Sequence, residues 1–348
     1  MKNDDFAYIR SLAPELKEMS DRMFDAPETG LNEHQASVML CDWLERDGFA
    51  VERGVGGLPT AFRAVYQHGE GGLSIGLLCE YDALDNMGHA CAHHLQGPCI
   101  LAAASALKQS DIAQPFKLVV YGTPAEETVS GKILMLNNGC FQDIDVALMM
   151  HGGAETTVDV KSLANYAVEV TFHGTSSHAA IRPEMGRSAL DSLLIAFQGV
   201  EFLREHIPDD VRIHYAIRSS GDQPVNVVPD YAKALFSIRS NNVITLDLVL
   251  ERFKKIMEGA ALMMGTTHEI TIKKKVANKI PSRRLNQVLM DNANTINAPV
   301  IRPPRERTGS TDFGNIMQLI PGSCIRVAFV PEGTPAHSQG FLDAGKSE

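Results

Sequence analysis

The residues able to do chemistry gather in a few short segments. The densest is Glu80-Tyr81-Asp82-Ala83-Leu84-Asp85-Asn86-Met87-Gly88-His89-Ala90-Cys91-Ala92-His93-His94, with three acids, three histidines and a cysteine in fifteen residues. A second is Gly122-Thr123-Pro124-Ala125-Glu126-Glu127, and a third is the lone His151. Imidazole, thiolate and carboxylate together suit metals of the Zn²⁺ or Mn²⁺ class. Calcium or magnesium alone would prefer an all-oxygen shell. The pair Glu126-Glu127 suggests divided roles, one carboxylate on a metal and its neighbour taking a proton from an activated water. Read singly, each feature is ordinary: a lone histidine is usually a hydrogen-bonded side chain, and two glutamates often start a helix.

Further residues carry weaker signals. His173-Gly174-Thr175-Ser176-Ser177-His178 would make a tight turn with His178 at its exit. Asn226 lies between Pro224 and Pro229, which stiffen an extended stretch. Arg239, at the end of the following strand, is either a clamp for a substrate carboxylate or an exposed charge. The loop Gly309-Ser310-Thr311 precedes a helix start, where backbone N–H groups can meet an anion or a plain cap can form. His337 is uninformative by itself.

The elements that must position these residues follow from hydrophobic patterning. Apolar runs at 74–79, 116–121 and 145–150 have strand length, and a helix is expected around 95–108 between the first two. Strands apolar throughout and separated by helices indicate a buried, largely parallel α/β sheet. Ligands of such sheets bind beyond the carboxyl ends of the strands. The acid–histidine–cysteine cluster, Glu126-Glu127 and His151 each follow one of the three runs. Beyond residue 163 the pattern changes to strand 166–173, helix 187–204, strands 210–218 and 231–239, helix 246–263 and strand 267–275. That order is the ferredoxin-like split unit. The predicted division is therefore one α/β domain, 1–163 and 277–348, interrupted by an α+β domain, 164–276.

Composition limits the classes of function. The 348 residues carry 32 Lys plus Arg against 42 Asp plus Glu, a net charge of −10, which disfavours nucleic-acid binding. No apolar run approaches the ~18 residues of a membrane span, and the start has no signal-peptide pattern. The six irregularly spaced cysteines read as thiols of a cytoplasmic protein.

Taken together and in this order, the segments resemble the binuclear metallopeptidases that include aminoacylases, carboxypeptidase G, auxin-conjugate hydrolases and aminobenzoyl-glutamate hydrolases. The resemblance runs from about Pro27 to His337. It is nearest the amidohydrolase branch whose members carry Glu-Tyr-Asp-Ala-Leu and then Gly-His-Ala-Cys-Gly-His, as residues 80–84 and 88–93 nearly do. It implies a catalytic domain with a largely parallel mixed sheet flanked by helices, and an inserted dimerisation or lid domain. It implies two divalent ions, Zn²⁺ or Mn²⁺, held by Cys91, His93, Glu127, His151 and His337, with Cys91 shared. Glu126 would be base and then proton donor, and Asp82 would orient the site. His178 would reach a neighbouring subunit's site across a homodimer and polarise the scissile carbonyl. Asn226 and Arg239 would hold the substrate, and Gly309, Ser310 and Thr311 would form part of its carboxylate pocket. The implied reaction is hydrolysis of a small N-acyl or aminobenzoyl amino acid or a dipeptide.

Three departures from the family pattern stand out. Ala92 replaces a usual glycine, and its methyl is expected to crowd the backbone between two ligands. His94 replaces a usual asparagine and is expected to compete for metal or meet substrate. A long closing helix of the family would begin only at Ser347-Glu348. Two other readings stay open: a cysteine hydrolase with Cys91 as nucleophile, and a binding protein that kept the fold without turnover.

Overall fold

The computed structural model describes residues 3–158, 160–305 and 309–346, so Ser347 and Glu348 lie outside the described residues. The chain forms two compact units, Met1–Lys161 with Lys279–Glu348, and Ser162–Asn278. In chain order the first unit begins with α1 (Asn3–Asp25), α2 (His34–Arg46), β1 (Ala50–Arg53), β2 (Phe62–His68) and β3 (Leu73–Cys79). It continues with α3 (Gln96–Gln109), β4 (Phe116–Gly122), α4 (Gly131–Asn137), β5 (Val146–Gly153) and β6 (Thr157–Val158). The second unit is β7 (Ala164–His173), α5 (Ala189–Arg204), β8 (Arg212–Ser219), β9 (Tyr231–Ser240), α6 (Val243–Met264) and β10 (Thr267–Val276). The chain returns as α7 (Arg283–Thr295), α8 (Phe313–Met317), β11 (Gly322–Ala328) and α9 (Gln339–Asp343).

The first unit is built on a seven-stranded sheet in the order β1-β2-β4-β3-β5-β11-β6. Its centre, β4-β3-β5-β11, is parallel, and antiparallel strands close both edges. The central strands are apolar throughout because helices cover both faces. On β4, Leu118 and Val120 pack with Leu40, Leu44, Ile100 and Leu101 of α2 and α3. Val119 and Tyr121 point the other way, into a cluster with Met135, Phe313 and Ile316. This is the two-residue period of a strand buried twice.

The second unit is a four-stranded antiparallel sheet, β10-β7-β9-β8. Tyr166, Val168 and Val170 of β7 and Ala234, Phe236 and Ile238 of β9 face one core with Leu193, Val200, Phe253 and Met257 of the two helices. Helix α6 starts three residues before the expected 246, because the Asn242 side chain accepts the Ile244 N–H at 2.8 Å and caps it. Gly174 is required by close approach: a Cβ there would collide with the Arg187 carbonyl. No described helix is long and apolar enough to cross a membrane.

Candidate functional site

The first three chemical segments meet where β3, β4 and β5 end. The strand β5 runs on to Gly153, two residues beyond His151, because β11 pairs alongside with Arg326 opposite His151. The loop after β4 is pinned twice. Thr123 donates its N–H and hydroxyl to the Cys79 carbonyl at 2.8 and 2.9 Å. Fully buried Glu33 accepts the Ala125 N–H at 2.8 Å and the Thr60 hydroxyl at 3.0 Å.

His93 and His151 are both held at Nδ1. Nδ1 of His93 lies 3.0 Å from both the carboxylate and the carbonyl of Asp82. Nδ1 of His151 lies 2.7 Å from the Gly152 carbonyl. A proton on Nδ1 of His93 satisfies the Asp82 oxygens and leaves Nε2 for a metal, whereas Nδ1 of His151 also faces Arg326 Nη1 at 3.3 Å. The other Asp82 oxygen accepts the Glu127 N–H at 3.0 Å, so one carboxylate steers two candidate ligands.

Cys91 stands between two donor sets. Its Sγ is 3.7 Å from His151 Nε2 and 3.3 Å from His337 Nε2, and that nitrogen is also 3.3 Å from Glu127 Oε1. Ligand atoms of Cys91, His93 and His151 all lie within 4.8 Å of one another, and so do those of Cys91, Glu127 and His337. Soft sulfur, imidazole and carboxylate in this arrangement fit two divalent ions sharing the sulfur.

The electrostatics mark a surplus of negative charge around that donor set, which, against burial, also raises His93 through Cys91 and Glu80. Burial, Arg326 and His93 push His151 down to about 3, which keeps it neutral. Burial alone would raise the Glu127 carboxyl, yet the His337 hydrogen bond and His93 hold it at about 2. Hydrogen bonds to Cys91 and Glu127 lift His337 to about 10, so an imidazolium here answers a surplus of negative charge. Burial beside Glu80 and Asp312 raises Glu126 to about 8.

A buried ion network underlies the site. Lys132 Nζ is 2.5 Å from Glu80 and 2.8 Å from Asp312, and Lys132 N–H donates to Asp312 at 3.0 Å. Gln96 donates to the second Glu80 oxygen at 2.7 Å. The sequence offered no sign of Lys132 beyond a charge inside an apolar helix. Above the Cys91 cluster is a cavity of about 280 Å³, bounded on another side by Gly309, Ser310 and Thr311. Thr311 Oγ1 accepts the Phe313 N–H at 3.3 Å, whereas the buried Ser310 hydroxyl has no hydrogen-bond partner among the described residues. Helix α8 has only five residues, too short for its dipole to hold an anion, so the Ser310 hydroxyl is one donor this loop offers.

The two altered motif positions behave differently from expectation. His94 does not face the cavity. It is fully buried, its Nε2 2.8 Å from the Gly345 carbonyl and its ring 5.1 Å from Phe24 and 5.0 Å from His89. It cannot compete for metal from there. Ala92 adopts a left-handed backbone, φ 64°, where glycine is favoured. Its methyl does not crowd the ligands but packs with Val330 and Phe341 over Gly152, whose missing Cβ makes the room.

In the second unit, His178 is exposed and bridges Val227, and Asn226 accepts the Ala179 N–H at 2.8 Å. The structure therefore brings His178 and Asn226 together. Arg239 is not with them: it lies eight residues from Tyr231 along β9, about 27 Å at the usual strand rise. Its Nε donates to Ser237 at 3.3 Å. Asn226 and Arg239 of one protomer are thus too far apart to grip one small molecule.

Fold and donor set together define a metallohydrolase-like α/β unit with an inserted α+β unit, and known proteins agree. Residues 161–262 match the peptidase dimerisation domain model of the M20 family. The chain is 37% identical over 292 residues to one of the p-aminobenzoyl-glutamate hydrolase subunits of Escherichia coli, covering 78% of this chain and 60% of that one. It is 33% identical over 358 residues to Xaa-Arg dipeptidase of Mus musculus, covering 98% and 82%. The dinuclear metal-binding M20 peptidase YXEP of Bacillus subtilis superposes with a TM-score of 0.72 at 18% identity, over 97% and 96% of the two chains. An aminobenzoyl-glutamate utilization protein from Klebsiella pneumoniae gives 0.73 at 21%, over 99% and 96%. The chain belongs to the M20 family of metallopeptidases and amidohydrolases, and is a hydrolase.

Proposed function

We propose that the chain is a binuclear metal-dependent amidohydrolase that cleaves the amide bond of a small N-acyl or aminobenzoyl amino acid or a dipeptide. The observation that carries this reading is the single Cys91 sulfur common to two trios of ligand atoms. The ligands are Cys91, His93, Glu127, His151 and His337, and the ions are Zn²⁺ or Mn²⁺. Bound there, the ions acidify a water molecule and polarise the substrate carbonyl. Asp82 fixes the imidazole of His93. Glu126 takes a proton from the attacking water and returns it to the leaving amine, and its raised pKa supports both halves of that task. Ser310, with Gly309 and Thr311, receives a substrate carboxylate.

The inserted unit makes a homodimer through residues 164–276, in keeping with the dimerisation-domain match. His178 and Asn226 then come to a site from one protomer and Arg239 from the other, which the length of β9 supports. Six free thiols suit a reducing compartment such as the cytoplasm. The names of the relatives point two ways on substrate, to aminobenzoyl-glutamate and to dipeptides ending in arginine.

Chelator titration with metal analysis and Glu126→Gln test the reading. Activity is expected to vanish with metal and to fall by about 10²–10⁴ in the variant. Full turnover by metal-free protein, or by Glu126→Gln, would refute it. A cysteine-hydrolase reading draws support from His337 at 3.3 Å from the Cys91 sulfur. It leaves His93, His151 and Glu127 idle, and an acyl adduct on Cys91 trapped during turnover would favour it.

A further inference from the structure

His94 sits beside a candidate ligand yet has no part in the mechanism above. It is fully buried, and its Nε2 lies 2.8 Å from the Gly345 carbonyl. A carbonyl only accepts, so Nε2 carries the proton. His93, the residue before it, opens the same single turn of 3₁₀ helix, His93–Leu95. Successive side chains on such a turn diverge by about 120°. His93 therefore faces the Cys91 cluster, while His94 faces the segment that runs on from His337.

Within that segment the hydrogen bonds are short-range. Phe341 and Leu342 donate to the Ser338 carbonyl at 3.1 and 3.2 Å, and Gly345 donates to the Leu342 carbonyl at 3.0 Å. Two more cross to the ligand motif: the His337 N–H to the Ala90 carbonyl at 3.1 Å, and His94 to Gly345. Between those two points Phe341 packs with Ala92 and Val330. Gly345 lies so close to the Phe24 ring that a Cβ would strike it, which fixes where the far end can rest. His337 needs this support. Its backbone is left-handed, φ 58°, and its side chain is about half exposed. A non-glycine residue keeps that conformation where its surroundings over-determine it.

We propose that His94 is a positioning residue for the ion held by Cys91, Glu127 and His337. By binding Gly345 it docks residues 338–345 and so keeps His337 at the Cys91 sulfur. The inference rests on the metal-site reading given above. Two neighbouring histidines divide the work, His93 on one ion and His94 on the segment that carries a ligand of the other. Linkage makes the coupling reciprocal: if docking strengthens metal binding, metal must protect the docked segment.

The test adds Co²⁺ alone to the metal-free, full-length protein and reads thiolate-to-cobalt absorption and chelator competition. His337→Ala defines the signature of losing the ion at that end. His94→Phe keeps a ring and removes the donor. It is expected to weaken the His337-dependent ion about tenfold or more, the worth of a buried hydrogen bond, and to spare the other ion. His94→Gln, which keeps an N–H donor near the place of Nε2, is expected to recover most of that loss. In the His337→Ala background, His94→Phe is expected to add nothing. In the wild type, Co²⁺ is expected to slow hydrogen exchange across 338–345. Equal losses in both backgrounds, loss of the other ion, or a His94→Gln loss as large as that of His94→Phe would overturn the proposal. If His94→Phe does not fold, His94→Asn, too short to reach Gly345, takes its place. If no His94 variant folds, wild-type exchange decides, and exchange unmoved by metal overturns it. Wild-type protein that takes up no Co²⁺ ends the metal-site reading and this inference with it, whereas uptake without coupling ends this inference alone.

Discussion

Lys132 Nζ lies 2.8 Å from Asp312 Oδ1, a fully buried ion pair between residues 180 apart in the chain. It ties the first turn of α4 to the residue that follows the Gly309–Thr311 loop, and through Glu80 to the end of β3. One ammonium thus joins the Glu80 side of the cavity to its Gly309–Thr311 side.

Removing that ammonium leaves two carboxylates buried against each other. Lys132→Met is therefore expected to cost about 3–5 kcal/mol, the range for breaking a buried pair by deleting one partner. Urea unfolding of the purified variant measures it. A loss below about 1 kcal/mol would mean that water or protonation already relieves Glu80 and Asp312.

Asp82 holds two of the proposed metal ligands. Its two oxygens hold His93 Nδ1 and the Glu127 N–H, each at 3.0 Å. Asp82→Ala is expected to weaken metal binding about 10–100-fold, the usual effect of losing an outer partner of a ligating histidine. Competition with a fluorescent chelator gives the affinity directly, independent of turnover. Unchanged affinity would show that the His93 ring is oriented by packing alone.

The Ala92 methyl and Gly152 share one space. A Cβ on residue 152 would sit 2.8 Å from the Ala92 Cβ and 2.9 Å from the Phe329 ring. Gly152→Ala is expected to destabilise by about 1–3 kcal/mol through overpacking. Ala92→Gly alone should be near neutral, since relief of a left-handed backbone offsets a lost buried methyl of about 0.8 kcal/mol. The double variant should recover part of the Gly152→Ala loss. Strict additivity in denaturation measurements would show that Phe329, not Ala92, sets the limit.

Asp143 gives a pH dependence away from the site. Burial opposes its charge, but Arg63 at 3.0 Å and Tyr121 at 2.7 Å more than offset that and hold its carboxyl below the usual value. A depressed folded-state pKa means the folded protein holds its proton less readily than the unfolded chain. Its stabilisation is complete above the unfolded value of about 4 and is lost as pH falls through the lower folded value. The stability gap between wild type and Asp143→Asn is therefore expected to narrow between neutral pH and pH 3 in urea titrations. A gap constant over that range would remove Asp143 from the acid response.

What can be read from the sequence is what is local. Apolar runs at strand length and the acid–histidine–cysteine segment are written in neighbouring residues, because hydrophobic period acts over a few positions. Those signals sufficed for the doubly covered sheet and the antiparallel α+β order, and for marking residues 80–94, Glu126-Glu127 and His151 as one candidate site, within which the family resemblance implied Cys91 and His93. Only the tertiary structure decided where side chains point and which distant residues meet. His94, one residue from a candidate ligand, turns away to Gly345 because the left-handed Ala92 redirects the chain. Arg326 reaches His151 through strand register, and Lys132 reaches Asp312 across the sheet's flank. His178 and Arg239 part company by the length of β9. Each of these depends on backbone geometry accumulated over many residues, and on burial that makes a charge seek a partner far away in sequence. A linear pattern records the charge but not the partner.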